Sequence, residues 1–383
     1  MKILQTVQTL NPETGGVARA VTSLSIAMQK RGAQITVMTQ DDPVASWLRD
    51  LPFCVRAVGQ GKTSYRYSRT LRDWLREHLR EFDCAIANGM WQYHSFALAR
   101  QCRKTATPYF VFPHGMLDPW FKRTYPLKHF KKWLYWPWAD YRVLRDAAAV
   151  IFTSEEERLL ARRSFWLYRA REKISPLGVE APTDSGSGPK LLFLAKFPEI
   201  EKTRMLLFLG RIHPKKGCDM LIDALPRRAS TDPVTLVIAG PDQVGWSAQL
   251  RERLARMDVS PRVIFTGMLE GAMKRGAFEN ADAFILPSHQ ENFGVSVVEA
   301  LSHGVPVLIS DKVNIWREIE TDRAGYIEAD DLSGTTRLIQ RWLHTSAAER
   351  EQMRANARRC FEQRFEIGRA ADSLLNILRE HVR

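Results

Sequence analysis

The chain has 383 residues, which is long for one small binding module and suits two domains at roughly 150 residues each. Hydrophobic residues make up 45% and charged residues 26%, a composition that excludes an intrinsically disordered chain and supports a large core. Lysine and arginine number 56 against 43 aspartate and glutamate, a formal net charge of +13. That excess points to an anionic partner such as nucleic acid, nucleotide or lipid headgroup, without choosing among them.

The first ten residues read as a buried strand, Lys2 to Val7; Gln5, Thr6, Gln8 and Thr9 make them too polar for a signal peptide. Thr14-Gly15-Gly16-Val17 follows, ahead of a helix running to about Lys30. A glycine pair at that junction lets backbone approach a phosphate, and it is equally what a plain capping loop would show. Further strands are expected at Gln34 to Met38, Cys84 to Ala87, Tyr109 to Phe112 and Ala149 to Phe152. Alternating strand and helix patterns mean a parallel, doubly wound α/β sheet. The Pro-, Gly- and Ser-rich stretch from Ala181 to Lys190 reads as a linker. A second series then begins with strands at Leu206 to Leu209, Thr235 to Ala239, Val263 to Phe265, Ala283 to Leu286 and Val305 to Ile309, and terminal helices follow from about Leu332. The expected division is an N-terminal domain over 1–181, a linker over 182–203, a second domain over 204–360 and a C-terminal helix over 361–383, with that helix able to pack back on the first domain.

The five cysteines, Cys54, Cys84, Cys102, Cys218 and Cys360, are scattered and form no C-x-x-C pair. They argue against a disulfide framework or structural zinc and suit a reduced, cytoplasmic protein. The longest apolar runs fall far short of the roughly 20 residues a spanning helix needs.

Open α/β sheets bind ligands at the carboxyl ends of their strands, and two such sheets are expected to face each other across a cleft. In the second half, Gly210-Arg211-Ile212-His213-Pro214-Lys215-Lys216-Gly217 sets an arginine just past a strand and a lysine five residues on. A guanidinium and an ammonium converging there suit a diphosphate, and surface charges flanking a turn would look the same. The strand at Ala283 to Leu286 leads into Glu291-Asn292-Phe293-Gly294-Val295, a helix start whose backbone N–H groups face outward. Glu299, flanked by Val297, Val298, Ala300 and Leu301, is a carboxylate in an otherwise core-facing helix, expected either to pair inside the core or to bind vicinal hydroxyls.

GRIHPKKG, Ala239-Gly240-Pro241, Phe265-Thr266-Gly267 and the E-x7-E block from Glu291 to Glu299 together resemble the donor domain of family 4 retaining glycosyltransferases of the GT-B fold. GGVARA near the start, Pro113 to Leu117 and Thr153 to Glu157 resemble the acceptor-side domain of that family, so the likeness covers nearly the whole chain. The resemblance implies that Arg211 and Lys216 hold a donor diphosphate, with Gly15 and Gly16 approaching it from the other domain. It implies that Glu291 and the backbone of Asn292, Phe293, Gly294 and Val295 orient the sugar, that Glu299 binds ribose, and that His114 lies beside donor sugar and acceptor. It further implies transfer of a hexose from a nucleoside diphosphate sugar, UDP ahead of GDP, with no cofactor and no metal. No D-x-D motif is present. The His114-Gly115-Met116-Leu117 block is similar to bacterial transferases of capsule and exopolysaccharide assembly, which implies a lipid-linked glycan acceptor. A GT-B-fold sugar-nucleotide epimerase and a non-catalytic nucleic-acid-binding protein are the rival readings; the E-x7-E block and GRIHPKKG weigh against nucleic acid as a partner.

Between Trp120 and Arg145 lie Lys122, Arg123, Lys128, Lys131, Lys132, Arg142 and Arg145 with tryptophans at 120, 133, 136 and 138. Such a segment suits an anionic membrane surface, giving a peripheral location on the inner face of the cytoplasmic membrane, with Trp120, Lys128, Lys131, Lys132 and Trp133 on the membrane or acceptor side. Internal packing with snorkelling lysines is the alternative.

Overall fold

Strand and helix alternate along the whole chain because short apolar runs, buried on both faces, are separated by amphipathic stretches long enough to cross back over a sheet. The computed structural model describes every residue except 184–185, 227–232, 258–261 and 383. The chain divides into unit 1, Met1–Glu180 with Arg364–Arg383, and unit 2, Ala181–Gln363.

Unit 1 holds β1 (Lys2–Val7), β2 (Gln34–Thr39), β3 (Cys54–Ala57), β4 (Cys84–Asn88), β5 (Tyr109–Phe112), β6 (Ala149–Phe152) and β7 (Glu172–Ile174). They pair in parallel in the order β3-β2-β1-β4-β5-β6-β7, with Ile3 opposite both Ile35 and Cys84. Side chains alternate across the sheet with the two-residue period of a strand. Ile3, Ile35, Ile86, Phe110 and Ile151 face one core, whereas Leu4, Met38, Ala85, Val111 and Val150 face the other. The first core is closed by helix Gly16–Gln29 and by the C-terminal helix Ile367–Arg379, which buries Ala370, Ala371, Leu374, Leu375 and Leu378. That helix is tied down through Val179, whose N–H donates to Phe365 O (3.0 Å) and whose O accepts from Ile367 N–H (3.0 Å), and by the Arg31–Asp372 ion pair at 2.5 Å. The second core is closed by helices Arg69–His78, Tyr93–Thr105 and Asp140–Arg145.

Unit 2 holds β8 (Arg204–Leu209), β9 (Val234–Ala239), β10 (Arg262–Gly267), β11 (Ala283–Leu286), β12 (Val307–Ser310) and β13 (Gly325–Glu328), parallel in the order β10-β9-β8-β11-β12-β13. Three strands escape the sequence reading: β3, β7 and β13. Each is short and partly exposed, and β3, β7 and β13 lie at sheet edges, so none carries the continuous apolar run that marks a central strand.

The stretch expected as a linker over 182–203 is built into unit 2; its residues 184 and 185 lie outside the described residues. Pro189 opens a helix, Gly188–Lys196, and the apolar run that follows puts Phe193 fully inside. This helix packs against helix Gly271–Asn280 with backbones nearly touching: a Cβ on Gly276 would collide with Pro189 O and lie 2.8 Å from Phe193 Cβ. Gly276→Ala should therefore force the two helices apart and destabilise the protein by about 1–3 kcal/mol, measured by denaturant unfolding; unchanged stability would mean the contact yields freely.

Candidate active site

Strand order reverses beside the first strand of each sheet, between β1 and β4 in unit 1 and between β8 and β11 in unit 2. At such a switch point the following loops diverge to opposite faces and leave a crevice at the carboxyl ends of the strands.

In unit 2 the two loops at the crevice are the two most specific sequence motifs. After β8 the chain makes a tight turn, Pro214–Lys216, ended by Gly217 at φ 71°. Only glycine fits there: besides the left-handed backbone, a Cβ would lie 2.6 Å from both Met220 Cε and Pro287 O. That turn is stitched to the loop after β11, because Lys215 O accepts the His289 N–H (2.8 Å) and the Ser288 hydroxyl (3.1 Å). Lys216 Nζ pairs directly with the Glu291 carboxylate, both side chains largely buried. Glu291 is itself pinned, its N–H donating to Lys312 O (2.9 Å) and its O accepting from Asn314 N–H (3.0 Å). Arg211 is exposed at the end of β8 and has no ion pair among the described residues. Burial and the charges of Arg211, Lys215 and Lys216 push the His213 imidazole down.

The helix after β11 is Val295–Ser302, with Gly294 at φ 71° as its N-cap and Phe293 buried. Asn292 is half-buried, near enough to Asn314 for a 3.4 Å contact. Of the two roles expected for Glu299, pairing or binding vicinal hydroxyls, the structure shows a pair: Lys274 Nζ, from helix Gly271–Asn280, meets its Oε1 at 2.6 Å. Among the described residues no group of three or more His, Cys, Asp or Glu side chains is placed to hold a metal ion.

In unit 1, Gly15 (φ 119°) caps helix Gly16–Gln29, and a Cβ on Gly15 or Gly16 would meet nothing within 4 Å. His114 follows β5 at φ 50°, stacked on Phe112. A buried chain of side chains reaches it: Gln5 Nε2 donates to Ser25 Oγ (2.7 Å), Asn88 Nδ2 donates to Gln5 Oε1 (3.0 Å), and Asn88 Oδ1 faces His114 Nε2 at 3.1 Å. An amide oxygen accepts only, so in this arrangement His114 Nε2 carries the proton and Nδ1 offers its lone pair. Burial pushes the His114 pKa down to about 4, which keeps the ring neutral at neutral pH. The left-handed turn is held by buried Glu157, which accepts from Gly115 N–H (2.5 Å), Thr153 N–H (2.7 Å) and the Thr153 hydroxyl (2.7 Å). Gln5, Ser25, Asn88 and Glu157 drew no role from the sequence. Polar residues inside apolar runs were the available signal for Gln5 and Asn88, since a buried polar group needs a partner.

The basic aromatic segment divides. Helix Pro126–Tyr135 exposes Leu127, Phe130, Trp133 and Leu134, with Lys128 and Lys131 also exposed. Trp138 and Trp166 extend the apolar patch, Trp166 lying 6.2 Å from Trp133 ring to ring. Trp120 is half-buried. Trp136 is fully buried and stacks on Phe165 at 4.3 Å, so it belongs to the core. Lys132 also departs from the expected outward set: it turns inward over the Trp91 ring, 4.5 Å from its centroid. No described helix is long and apolar enough to cross a membrane.

Two doubly wound units in tandem, each with polar loops gathered at its switch point, are the GT-B architecture. Residues 15–178 match the glycosyl transferase 4-like domain and residues 192–360 match glycosyl transferases group 1. The chain belongs to the glycosyltransferases that join these two domains. It is 35% identical over 155 residues to a phosphatidyl-myo-inositol mannosyltransferase of Mycobacterium leprae, covering 40% of this chain and 38% of that one. An uncharacterized glycosyltransferase of Methanocaldococcus jannaschii is 26% identical over 179 residues, 45% of this chain and 44% of that one. Each match thus spans about two fifths of the relative's length. Among solved structures, HepE of Anabaena in complex with UDP superposes with a TM-score of 0.79 at 19% identity, covering 99% of this chain and 100% of that one. WaaG, a glycosyltransferase involved in lipopolysaccharide biosynthesis, superposes at 0.67 with 18% identity over 98% and 99%.

Two outcomes follow from the buried and half-buried imidazoles. By nitrogen-15 NMR, His114 should stay neutral with Nε2 protonated from pH 8 to pH 5, and Asn88→Asp should raise its pKa by facing the ring with a carboxylate; a proton on Nδ1 would reverse the amide chain. Burial also lowers His94 and His303 to about 4, whereas burial raises Asp140 to about 6. Between pH 6.5 and 4 the unfolded chain binds more protons at the three histidines and fewer at Asp140. Stability should therefore fall on acidification through that window, the three outweighing the one, as denaturant melts at pH 7 and pH 5 would report.

Proposed function

We propose that this protein is a retaining glycosyltransferase that moves a hexose from a nucleoside diphosphate sugar to a lipid-linked glycan in the assembly of a bacterial surface polysaccharide. The observation that carries the reading is the pairing of Lys216 with Glu291 across the β8/β11 switch point, with Arg211 open beside them. Cations at strand ends suit the diphosphate, and a carboxylate locked next to them suits the hydroxyls of the attached sugar.

In this reading Arg211 and Lys216 neutralise the departing diphosphate and take the part a metal plays elsewhere. The donor must exchange Lys216 from Glu291 to phosphate, which frees Glu291 for the sugar. The N-terminus of helix Val295–Ser302 adds backbone N–H groups and positive dipole, and Glu299 takes the ribose while Lys274 holds its carboxylate in place. Within unit 1, the open backbone at Gly15 and Gly16 and the neutral His114 are the groups offered to the sugars; a lone pair on Nδ1 accepts from a hydroxyl. The UDP and UDP-glucose complexes of the Anabaena structure support a uridine donor. The mannosyltransferase named for a phosphatidylinositol and the lipopolysaccharide enzyme support a lipid-bound acceptor, as does the exposed apolar face of helix Pro126–Tyr135 beside Lys128 and Lys131.

Lys216→Ala and Arg211→Ala should each lower turnover roughly a hundredfold or more, the scale of removing a preorganised group at developing charge, while EDTA leaves the parent's turnover unchanged. Near-normal turnover in a folded variant would make these residues surface charges, activity restored by magnesium would overturn metal independence, and an epimerised free sugar without acceptor would identify an epimerase. For the membrane, Lys128→Glu with Lys131→Glu should sharply reduce co-sedimentation with anionic vesicles, at about 1 kcal/mol per basic residue lost, and added salt should weaken the parent's binding. Undiminished binding by the double variant would remove this helix from the membrane contact.

A further inference from the structure

Helix Pro126–Tyr135 has two faces with different tasks. Leu127, Phe130 and Leu134 recur at helical spacing on the outward side and are 81%, 59% and 55% exposed. At 100° per residue Lys132 lies on the opposite side, and its ammonium is set over two aromatic faces, Trp91 at 4.5 Å and Phe121 at 5.7 Å from the ring centroids.

The Lys132 ammonium makes no direct hydrogen bond or ion pair with any described residue, yet the nitrogen is not sealed from solvent. The carboxylate that acts on it is Asp140, which lies deeper, 3% exposed, with Oδ1 accepting from Trp91 N–H at 3.1 Å. Nearby Lys122 and Lys128 only add positive charge, and half-buried His129 is pushed down by burial and by Lys122 and Lys132. Cation–π contact offsets only part of what taking a charge out of water costs. What remains is a positioned cation, open to solvent, whose three N–H donors no described side chain occupies.

The aromatic seat connects to the reaction face. Trp91 lies in the loop after β4 with a left-handed backbone, φ 69°, a conformation rare for a bulky residue. Asp140 holds its N–H, and its indole Nε1 donates to Met116 O at 3.2 Å, two residues from His114. An anion on Lys132 would thus sit one indole away from the His114 loop, on a helix whose other side is apolar and exposed. A lipid-linked sugar has this sequence of chemistries: hydrocarbon, phosphate, then saccharide.

We propose that Lys132, seated on Trp91, binds the phosphate of the lipid-linked acceptor and so presents its sugar to the His114 loop. The inference rests on the acceptor class proposed above and adds the group through which it is recognised. The test compares two acceptors of equal chain length, a dodecyl-diphosphate-linked sugar and the dodecyl glycoside of the same sugar, which has no phosphate. In the parent the diphosphate acceptor should have the higher kcat/KM. Lys132→Gln should lower that preference roughly tenfold or more, the worth of a charge-assisted hydrogen bond, through KM rather than kcat, and Lys132→Arg should keep most of it. Asp140→Asn keeps an oxygen for Trp91 N–H while removing the competing charge, so it should raise the preference. An unchanged preference in both Lys132→Gln and Asp140→Asn overturns the proposal. A loss of anionic-vesicle binding in Lys132→Gln as large as in the Lys128→Glu, Lys131→Glu variant would make Lys132 a bilayer contact and overturn it too. Tight calorimetric binding of inorganic diphosphate that Lys132→Gln abolishes would assign the site to a free anion instead. A parent that uses neither acceptor refutes the lipid-linked reading itself, and this inference with it.

Discussion

A parallel sheet sends every strand into its crossover at the same end, so the polar loops of each unit are forced together whatever their sequences. Where the strand order turns back, two of those loops stand side by side over buried strands with a crevice between them. In unit 2 this places the turn after β8 against the loop after β11, and the bonds from the Ser288 hydroxyl and the His289 N–H to Lys215 O make the meeting rigid. Lys216 and Glu291, 75 residues apart in the chain, become partners by that constraint. The same rule in unit 1 sets Asn88, the last residue of β4, within reach of Gln5 on β1 and His114 after β5.

Charge is handled differently at each of these places. Lys216 and Lys274 are neutralised by carboxylates of the E-x7-E block, which hold these basic groups in place. Arg211, exposed, needs no such partner because water screens it. Lys132 has no carboxylate in direct contact among the described residues and is half-buried, and it rests on aromatic faces instead. His114 is kept out of the electrostatics altogether: burial makes it neutral, and the amide chain from Ser25 decides which nitrogen holds the proton. A neutral ring with a defined lone pair is suited to a hydroxyl, whereas the cations of unit 2 are suited to phosphate.

The C-terminal helix shows how far apart in sequence the parts of one core can lie. Sheet 1 is buried on both faces, and helix Gly16–Gln29 is too narrow to cover one of them by itself. The last 20 residues, Arg364–Arg383, return from unit 2 to complete that face.

The sequence by itself determined the central strands, because an element buried on both faces must be apolar throughout and such runs are readable without context. It also displayed the glycine-bounded cationic turn and the E-x7-E block, whose residue types and spacing are local properties. Edge strands β3, β7 and β13 were not legible, since half their surface faces water and their pairing comes from the neighbouring strand. The run Leu191 to Ala195 was hidden behind a linker-like stretch until helix Gly271–Asn280 supplied a partner with a glycine at the contact. Composition marked Trp120 to Arg145 as basic and aromatic, but only the packed structure separated core Trp136 from exposed Trp133, and inward Lys132 from outward Lys128 and Lys131. The roles of Asn88 and Glu157 were likewise decided in three dimensions, because a hydrogen bond between residues 26 or 42 positions apart leaves no trace in local spacing. What a residue is made of can be read along the chain; which neighbour satisfies its charge, its proton or its buried surface is settled by the fold.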